Sequence, residues 1–205
     1  MKELFIRERD DRRLRATVAV AVLAALLFLL VFTGCTPART AAVDKSRPWA
    51  TVSFTVDKSV KYAPSFAIWV KDAQSGETAT LYASRKAAEN KWLGAAERPG
   101  ALPVWQPVRA QGGADILSSA TPSGKDVSLT LQIPDKFAGK SLEFYLEANA
   151  SFDYNDFYKE GLKSGDEGYS DVNGQPSVVW MAAADTAAAP AGSLGAQAVG
   201  HGDVL

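Results

Sequence analysis

The chain has 205 residues, 47% of them hydrophobic, with a formal net charge of −1 and a single cysteine. A near-neutral charge argues against the basic surface that nucleic-acid binding requires, and one cysteine excludes an intramolecular disulfide. The sequence therefore predicts a fold that a hydrophobic core stabilises, with no nucleic-acid partner.

The N-terminal residues 1–34 have the pattern of a bacterial export signal. Six basic residues lie among the first fifteen, and residues 16–32 form an uncharged apolar run. In a helix this run would be roughly 25 Å long, shorter than the ~30 Å hydrocarbon core of a bilayer. This length favours a cleaved signal peptide. The alternative is an uncleaved membrane anchor that spans the bilayer with the same residues.

The apolar run leads to Cys35, which follows the small residues Thr33 and Gly34. This order resembles the lipobox of bacterial lipoprotein signal peptides, where the signal peptidase cuts before a cysteine that carries a diacylglyceryl group. The resemblance implies lipidation of Cys35 with acyl chains such as palmitate, which would hold the protein to a membrane. Thr36, in place of aspartate, indicates the outer membrane in the enterobacterial sorting scheme. The expected location is the extracytoplasmic side of the cell envelope, either the periplasmic face of the outer membrane or the cell surface.

The rest of the chain is predicted to form one domain between two unstructured segments. Residues 35–47 begin with the lipidated cysteine and have no apolar period, so we expect a flexible tether. Residues 182–205 are rich in Ala and Gly, and we expect them to be disordered. Residues 48–181 have an ordinary size for one domain with one core.

Alternation of apolar and polar residues predicts six β-strands in this domain. The strands are expected at residues 51–56, 65–71, 78–83, 127–133, 142–149 and 177–181. A turn at residues 72–76 would join the second and third strands into a hairpin.

Residues 84–93 alone favour a helix, with Ser84 as its cap and Gly94 at its end. A sheet with one apolar face must cover that face with another layer. The expected fold is therefore mainly β, an antiparallel immunoglobulin-like β-sandwich with one short helix, preceded by a hydrophobic signal-peptide helix.

Six short motifs follow one another along the domain: residues 66–72 (FAIWVKD), 76–82 (GETATLY), 102–105 (LPVW), 115–124 (DILSSATPSG), 147–155 (EANASFDYN) and 173–177 (NGQPS). In this order they resemble a bacterial family of predicted periplasmic proteins catalogued as domain of unknown function 2271. The resemblance implies an extracytoplasmic β-sandwich similar to immunoglobulin-like domains. It implies no established activity and no functional residues.

Residues 153–171 have the densest group of side-chain oxygens in the chain. Five of them are candidate calcium ligands: Asp153, Asn155, Asp156, Asp166 and Asp171. Calcium accepts six to eight oxygen ligands and tolerates irregular loops, although the spacing here does not match an EF-hand. The alternative is a solvated acidic loop in which Asp153 and Asn155 form turns. Calcium is the only cofactor that the sequence suggests.

Several aromatic residues are candidates for a binding surface, because exposed rings stack on sugars or anchor protein interfaces. Trp69 and Trp105 occur in strand-like contexts and are expected to be buried. Trp92, in the predicted helix, and Tyr154 and Tyr158, in the acidic segment, are the better candidates for exposure.

Common catalytic sets are missing from the predicted domain. The only histidine, His201, lies in the predicted tail, which excludes histidine-based triads and zinc sites from the domain. No glycine-rich loop joins a strand to a helix, so no phosphate-binding loop is predicted. Glu143 and Glu147 would lie on one strand face roughly 13 Å apart, too far for a paired acid and base, and we expect both to face solvent.

The sequence therefore predicts a non-enzymatic lipoprotein that binds or scaffolds another component of the cell envelope. Its expected partners are the membrane, through the lipid on Cys35, and an envelope protein. A ligand or calcium carrier that uses residues 153–171 is the alternative, and a carboxylate-based hydrolase is the third possibility.

Overall fold

The computed structural model describes residues 43–89, 99–111, 117–119, 126–186 and 195–202. These residues all belong to the second of two units into which the chain divides, residues 40–205. The predicted signal peptide, Cys35 and Trp92 lie outside the described residues.

Eight short strands and a few short helices make up the described chain. In chain order these are β1 (Trp49–Thr55), β2 (Ser65–Asp72), β3 (Thr78–Ser84), α1 (Arg85–Glu89), a 3-10 turn (Pro99–Ala101), α2 (Trp105–Ala110), β4 (Leu117–Ser119), β5 (Asp126–Gln132), a second 3-10 turn (Asp135–Phe137), β6 (Ser141–Asn149), β7 (Val178–Asp185) and β8 (Gln197–His201). The prediction of a mainly β protein is confirmed, and each of the six predicted strands is present.

The strands form two sheets. β1 and β5 pair antiparallel in a two-stranded sheet, and the larger sheet has the order β4-β3-β2-β6-β7-β8. Seven of these strands pair antiparallel, whereas β4 pairs with β3 in parallel. β2 and β3 form the predicted hairpin, so turn chemistry and alternation together were sufficient to predict it.

The principal core lies between the two sheets. Phe66, Ile68 and Val70 of β2 are fully buried there, and Leu129 and Leu131 of β5 pack in the same cluster. The apolar residues of β1 and β5 occupy alternate positions, so one face of each strand points into this core and the other towards solvent. This is the arrangement that the alternation predicts.

A second core lies on the opposite face of the larger sheet. Ala67 and Trp69 of β2 pack there with Leu102, with Trp105 at the start of α2, and with Val179 of β7. Because both of its faces are covered, β2 is a nearly continuous apolar run rather than an alternating one. The predicted burial of Trp69 and Trp105 is confirmed, at 3% and 0% exposure. Trp105 begins a helix, however, not a strand.

The predicted helix at residues 84–93 is present as α1 over its first residues, and residues 90–93 lie outside the described part of the chain. Ser84 belongs to β3, where its Oγ accepts a hydrogen bond from the N–H of Phe66 at 3.1 Å. The hydroxyl therefore joins two strands instead of capping the helix. α2 was not predicted, because its six residues are too few to show a helical period.

Both ends of the domain extend beyond the predicted bounds of 48–181. Arg47 donates two hydrogen bonds to Asp135, at 2.8 and 2.9 Å, so the end of the predicted tether lies on the domain. In the predicted disordered tail, residues 182–185 complete β7 and Gln197–His201 form β8, which pairs with β7. An edge strand is held by main-chain hydrogen bonds, so small residues form it without an apolar pattern.

Asp72 fixes the turn between β2 and β3 to the segment before β6. Its carboxylate is almost buried and accepts hydrogen bonds from Lys140 Nζ at 2.8 Å, Ser75 Oγ at 2.7 Å and the N–H of Gln74 at 2.9 Å. These donors, Lys140 foremost, hold the pKa of Asp72 well below its ordinary value of 3.8. The same contact raises the pKa of Lys140.

We expect Asp72→Asn to lower the melting temperature at neutral pH. A carboxyl pKa that is lowered by folding adds stability above the unfolded value of 3.8, and that stability is lost as pH falls through the folded value. The difference in melting temperature between wild type and variant should therefore shrink progressively below about pH 4. Asp135→Asn, which removes a largely exposed ion pair, is the control and should have little effect. A difference for Asp72→Asn that stays constant down to low pH would rule out this role.

Candidate functional site

Residues 150–177, the β6–β7 loop, contain the most unusual backbone of the described chain. Among the described residues, Phe152 and Asp171 are the only two other than glycine with positive φ, at 65° and 57°. Aspartate tolerates this conformation, whereas a bulky residue such as phenylalanine rarely adopts it. Such strain persists only where surrounding contacts hold it, and it is concentrated at functional sites in proteins.

A network of amide and carboxylate groups closes the base of the β6–β7 loop. Asp153 Oδ1 accepts the N–H of Gln175 at 2.8 Å, and Gln175 Nε2 donates to the carbonyl of Asp153 at 2.8 Å. Asn155 Nδ2 donates to Gln175 Oε1, and Asn149 Nδ2 donates to the Gln175 carbonyl, both at 2.9 Å. Burial of this junction raises the pKa of Asp153. Side chains from both ends of the loop thus hold the two ends together.

The five predicted calcium ligands all lie in this loop, and four of them accept internal hydrogen bonds. Asn155 Oδ1 accepts the backbone N–H groups two and three residues further on, at 2.9 and 2.7 Å, which is the predicted Asx turn. Asp166 Oδ2 accepts the N–H of Lys163 at 2.7 Å, and Asp171 Oδ1 accepts the Tyr169 hydroxyl at 3.0 Å. Asp153 belongs to the network above, and Asp156 is exposed. Across the described ranges, no three His, Cys, Asp or Glu side chains are placed to hold a metal ion. The calcium site stays a prediction.

Aromatic rings, two of them exposed, lie next to this hydrogen-bond network. The aromatic surface comprises Tyr62, Phe152 and Tyr154: the Phe152 ring lies 5.3 Å from Tyr62 and 6.4 Å from Tyr154, centroid to centroid. Tyr62 is 46% and Phe152 51% exposed, although large apolar rings are usually buried. Further along the loop, Phe157 is exposed and lies 5.0 Å from Tyr158.

The exposed rings of this segment are not the ones for which the sequence predicted exposure. Tyr154 and Tyr158 are half-buried, whereas their neighbours Phe152 and Phe157 are exposed. Phe152 has a left-handed conformation, and no local sequence pattern shows that conformation in a phenylalanine. Tyr62 was missed because it lies in the β1–β2 connection, about ninety residues away in sequence from Phe152.

Glu147 is the main correction to the predicted chemistry, since it is fully buried rather than solvent-facing. Its carboxyl group accepts the N–H of Trp105 at 2.7 Å, the Ser177 hydroxyl at 2.6 Å and the N–H of Val104 at 3.2 Å. α2 and Leu102 cover the sheet face that was expected to meet water. Burial, the largest influence, raises the pKa of Glu147. The residue joins α2 to the start of β7.

Glu143, on the same strand, has different partners. It accepts hydrogen bonds from Lys71 Nζ at 3.0 Å and from the Tyr145 hydroxyl at 2.8 Å. The Lys71 contact lowers the pKa of Glu143, and burial together with Glu143 raises the pKa of Tyr145 to about 12. Because the two glutamates share no partner, their geometry gives no support to a paired acid and base.

A scan of protein-family models, a search of curated proteins and a search of solved structures found no match to this chain. The family resemblance drawn from the short motifs therefore stays a prediction. Among the residues that the structure describes, no helix has both the length and the apolar character needed to cross a membrane.

We expect Gly174→Ala to disrupt the base of the β6–β7 loop. Gly174 has φ 128°, and an added Cβ would overlap Asp153 Oδ1 and lie 2.9 Å from the Asp153 nitrogen. The variant should lose about 2 kcal/mol or more in free energy of unfolding and be cut faster by chymotrypsin within the loop. Gly161→Ala is the matched control, since Gly161 also has positive φ but its added Cβ would meet no atom within 4 Å. Equal losses for both variants would show that the Asp153 contact is unimportant.

Proposed function

We propose that this protein is an extracytoplasmic lipoprotein of the bacterial cell envelope, anchored through lipid on Cys35, that binds another envelope component without catalysing a reaction. The small residues before Cys35 and the apolar run at residues 16–32 support the anchor. The mass of the purified protein tests it, because an N-terminus at Met1 would contradict cleavage before Cys35. Cys35→Ala should release the protein from membranes.

The observation that carries the binding proposal is the exposure of Phe152, on a loop whose base is closed by hydrogen bonds, and of Tyr62, whose ring lies against it. Ordered aromatic rings give a large contact area and lose little conformational freedom on binding. The strained φ of Phe152 fits this proposal, since a phenylalanine held exposed in this conformation does not serve stability. Glu147 and Glu143 are occupied by structural contacts.

We also propose that the two sheets form a sandwich in the broad sense, since both enclose one core. The more specific proposal is that this sandwich is immunoglobulin-like. The parallel strand β4 and the helices packed on the second face of the larger sheet differ from what an immunoglobulin domain would have.

We expect Phe152→Asn to abolish capture of the envelope component without loss of stability. Asparagine tolerates positive φ, so the variant removes the ring and relieves the backbone, and its free energy of unfolding should stay equal or rise by about 1 kcal/mol. Capture is measured by pull-down from solubilised membranes with full-length protein as bait. Val199→Asn, which replaces an exposed apolar residue of β8, is the control. Undiminished capture by Phe152→Asn would contradict the proposed binding surface.

A further inference from the structure

The charge of the β6–β7 loop differs sharply from that of the rest of the chain. The loop has two lysines and six carboxylates, and so a net charge of −4: Asp153, Asp156, Glu160, Asp166, Glu167 and Asp171. Without residues 1–34, which contain six basic and four acidic residues, the chain has a net charge of −3, so the residues outside the loop together have a charge of +1. Negative charge is thus concentrated in the segment that presents the exposed rings.

These carboxylates are available to a partner. All of them except Asp153 are exposed. The ion pairs between described residues join other parts of the domain, namely Arg47–Asp135, Lys71–Glu143, Arg85–Glu89 and the pairs of Lys136 and Lys140. Within the described residues, none of the six loop carboxylates has a lysine or arginine nitrogen within ion-pair distance.

The amide groups of the loop, which a sugar would also need, are in contrast already occupied. Glycan recognition combines ring stacking with hydrogen bonds from planar amide and carboxylate side chains. Asn155 and Gln175 use their amide groups within the loop, and Asp153 accepts the N–H of Gln175. Binding to a membrane surface is also disfavoured, since a loop of net charge −4 is repelled by anionic lipid headgroups.

We infer that the partner of the aromatic surface is a protein segment with an apolar side chain flanked by lysine or arginine. This inference rests on the proposed function, because it names the partner of the same surface. The exposed Phe152 and Tyr62 rings, which lie 5.3 Å apart between centroids, give the apolar side chain its contact area. The exposed carboxylates of the same loop, among them Glu160 and Glu167, provide the negative charge that attracts the basic residues.

The test uses full-length protein in a neutral detergent and three synthetic decapeptides with a central Leu-Phe pair. The pair is flanked by four lysines, four glutamates or four serines, and chitotetraose is the sugar probe. The lysine peptide should bind about tenfold more tightly than the glutamate peptide near 50 mM NaCl, and the ratio should fall near 300 mM. Phe152→Asn and the pair Glu160→Gln/Glu167→Gln should each weaken its binding about fivefold.

A matched charge control makes this result specific. Asp126→Asn/Asp135→Asn removes two carboxylates from outside the loop and should change binding of the lysine peptide by less than about twofold. An equal loss in this control, or equal binding of the glutamate peptide or of chitotetraose, overturns the inference. If Phe152→Asn still reduces capture from membranes in that case, the proposed function stands without the inference. If Phe152→Asn leaves capture unchanged, both the inference and the proposed binding surface are overturned.

Discussion

Replacing Glu147 with alanine should lower the free energy of unfolding by about 3 kcal/mol, because three donors lose the buried carboxyl group that accepts from them. The N–H groups of Val104 and Trp105 and the hydroxyl of Ser177 all donate to this carboxyl group. Urea denaturation followed by tryptophan fluorescence measures the loss. Asp126→Ala, an exposed carboxyl on β5, is the control and should change stability little. A loss for Glu147→Ala no larger than the control would contradict the structural role of Glu147.

Glu147→Gln separates the hydrogen bonds from the charge. Folding raises the pKa of Glu147, so its contribution to stability is fully present below the unfolded value of 4.5 and is lost as pH rises through the folded value. Glutamine does not titrate and resembles the protonated acid. The free energy of unfolding of Glu147→Gln, relative to wild type, should therefore increase with pH across this window and then become constant. The opposite slope would mean that the ionised form is the one that the fold prefers.

Trp105→Ala should be the most destabilising change in the second core, with a loss of about 4 kcal/mol. The Trp105 side chain is fully buried, and its Nε1 donates a hydrogen bond to Thr80 Oγ1 at 3.0 Å. Truncation creates a cavity between α2 and the sheet and leaves the hydroxyl without this donor. The measurement is again chemical denaturation, with melting temperature as a second readout.

Trp49→Ala is the matched control for Trp105→Ala. Trp49 is 43% exposed, and Lys45 Nζ lies over its ring, 5.6 Å from the centroid. We expect this variant to lose less than about 1 kcal/mol. Similar losses for the two tryptophans would contradict the assignment of Trp105 to the core.

Much of the sheet structure could be predicted because the strands of the first core follow simple alternation. Val127, Leu129 and Leu131 point into the core between the sheets, while Ser128 faces solvent, as the pattern implies. The error on Glu147 has a different origin. On β6 the apolar residues alternate with Glu143, Tyr145 and Glu147, and a single strand does not show whether a second layer covers its polar face. Here α2 does, and α2 is too short to be recognised from its own six residues.

The candidate site could be predicted as a segment but not as a set of side chains. The density of carboxylates and aromatic residues drew attention to residues 153–171, and Asn155 forms a turn as expected. The positive φ of Phe152 has no signal in the sequence, and its contact with Tyr62 depends on the tertiary fold. Strand β8 was not predicted, because it is held against β7 by main-chain hydrogen bonds, which leave no pattern in the sequence.

The central claim is that binding takes place at the aromatic surface of the β6–β7 loop. The most direct measurement places the photo-crosslinking residue p-benzoylphenylalanine at position 152, and at position 199 as a control, in full-length protein within membranes. The account predicts an adduct from position 152 that excess lysine peptide suppresses, and none from position 199. No adduct from position 152, or the same adduct from both positions, would contradict it.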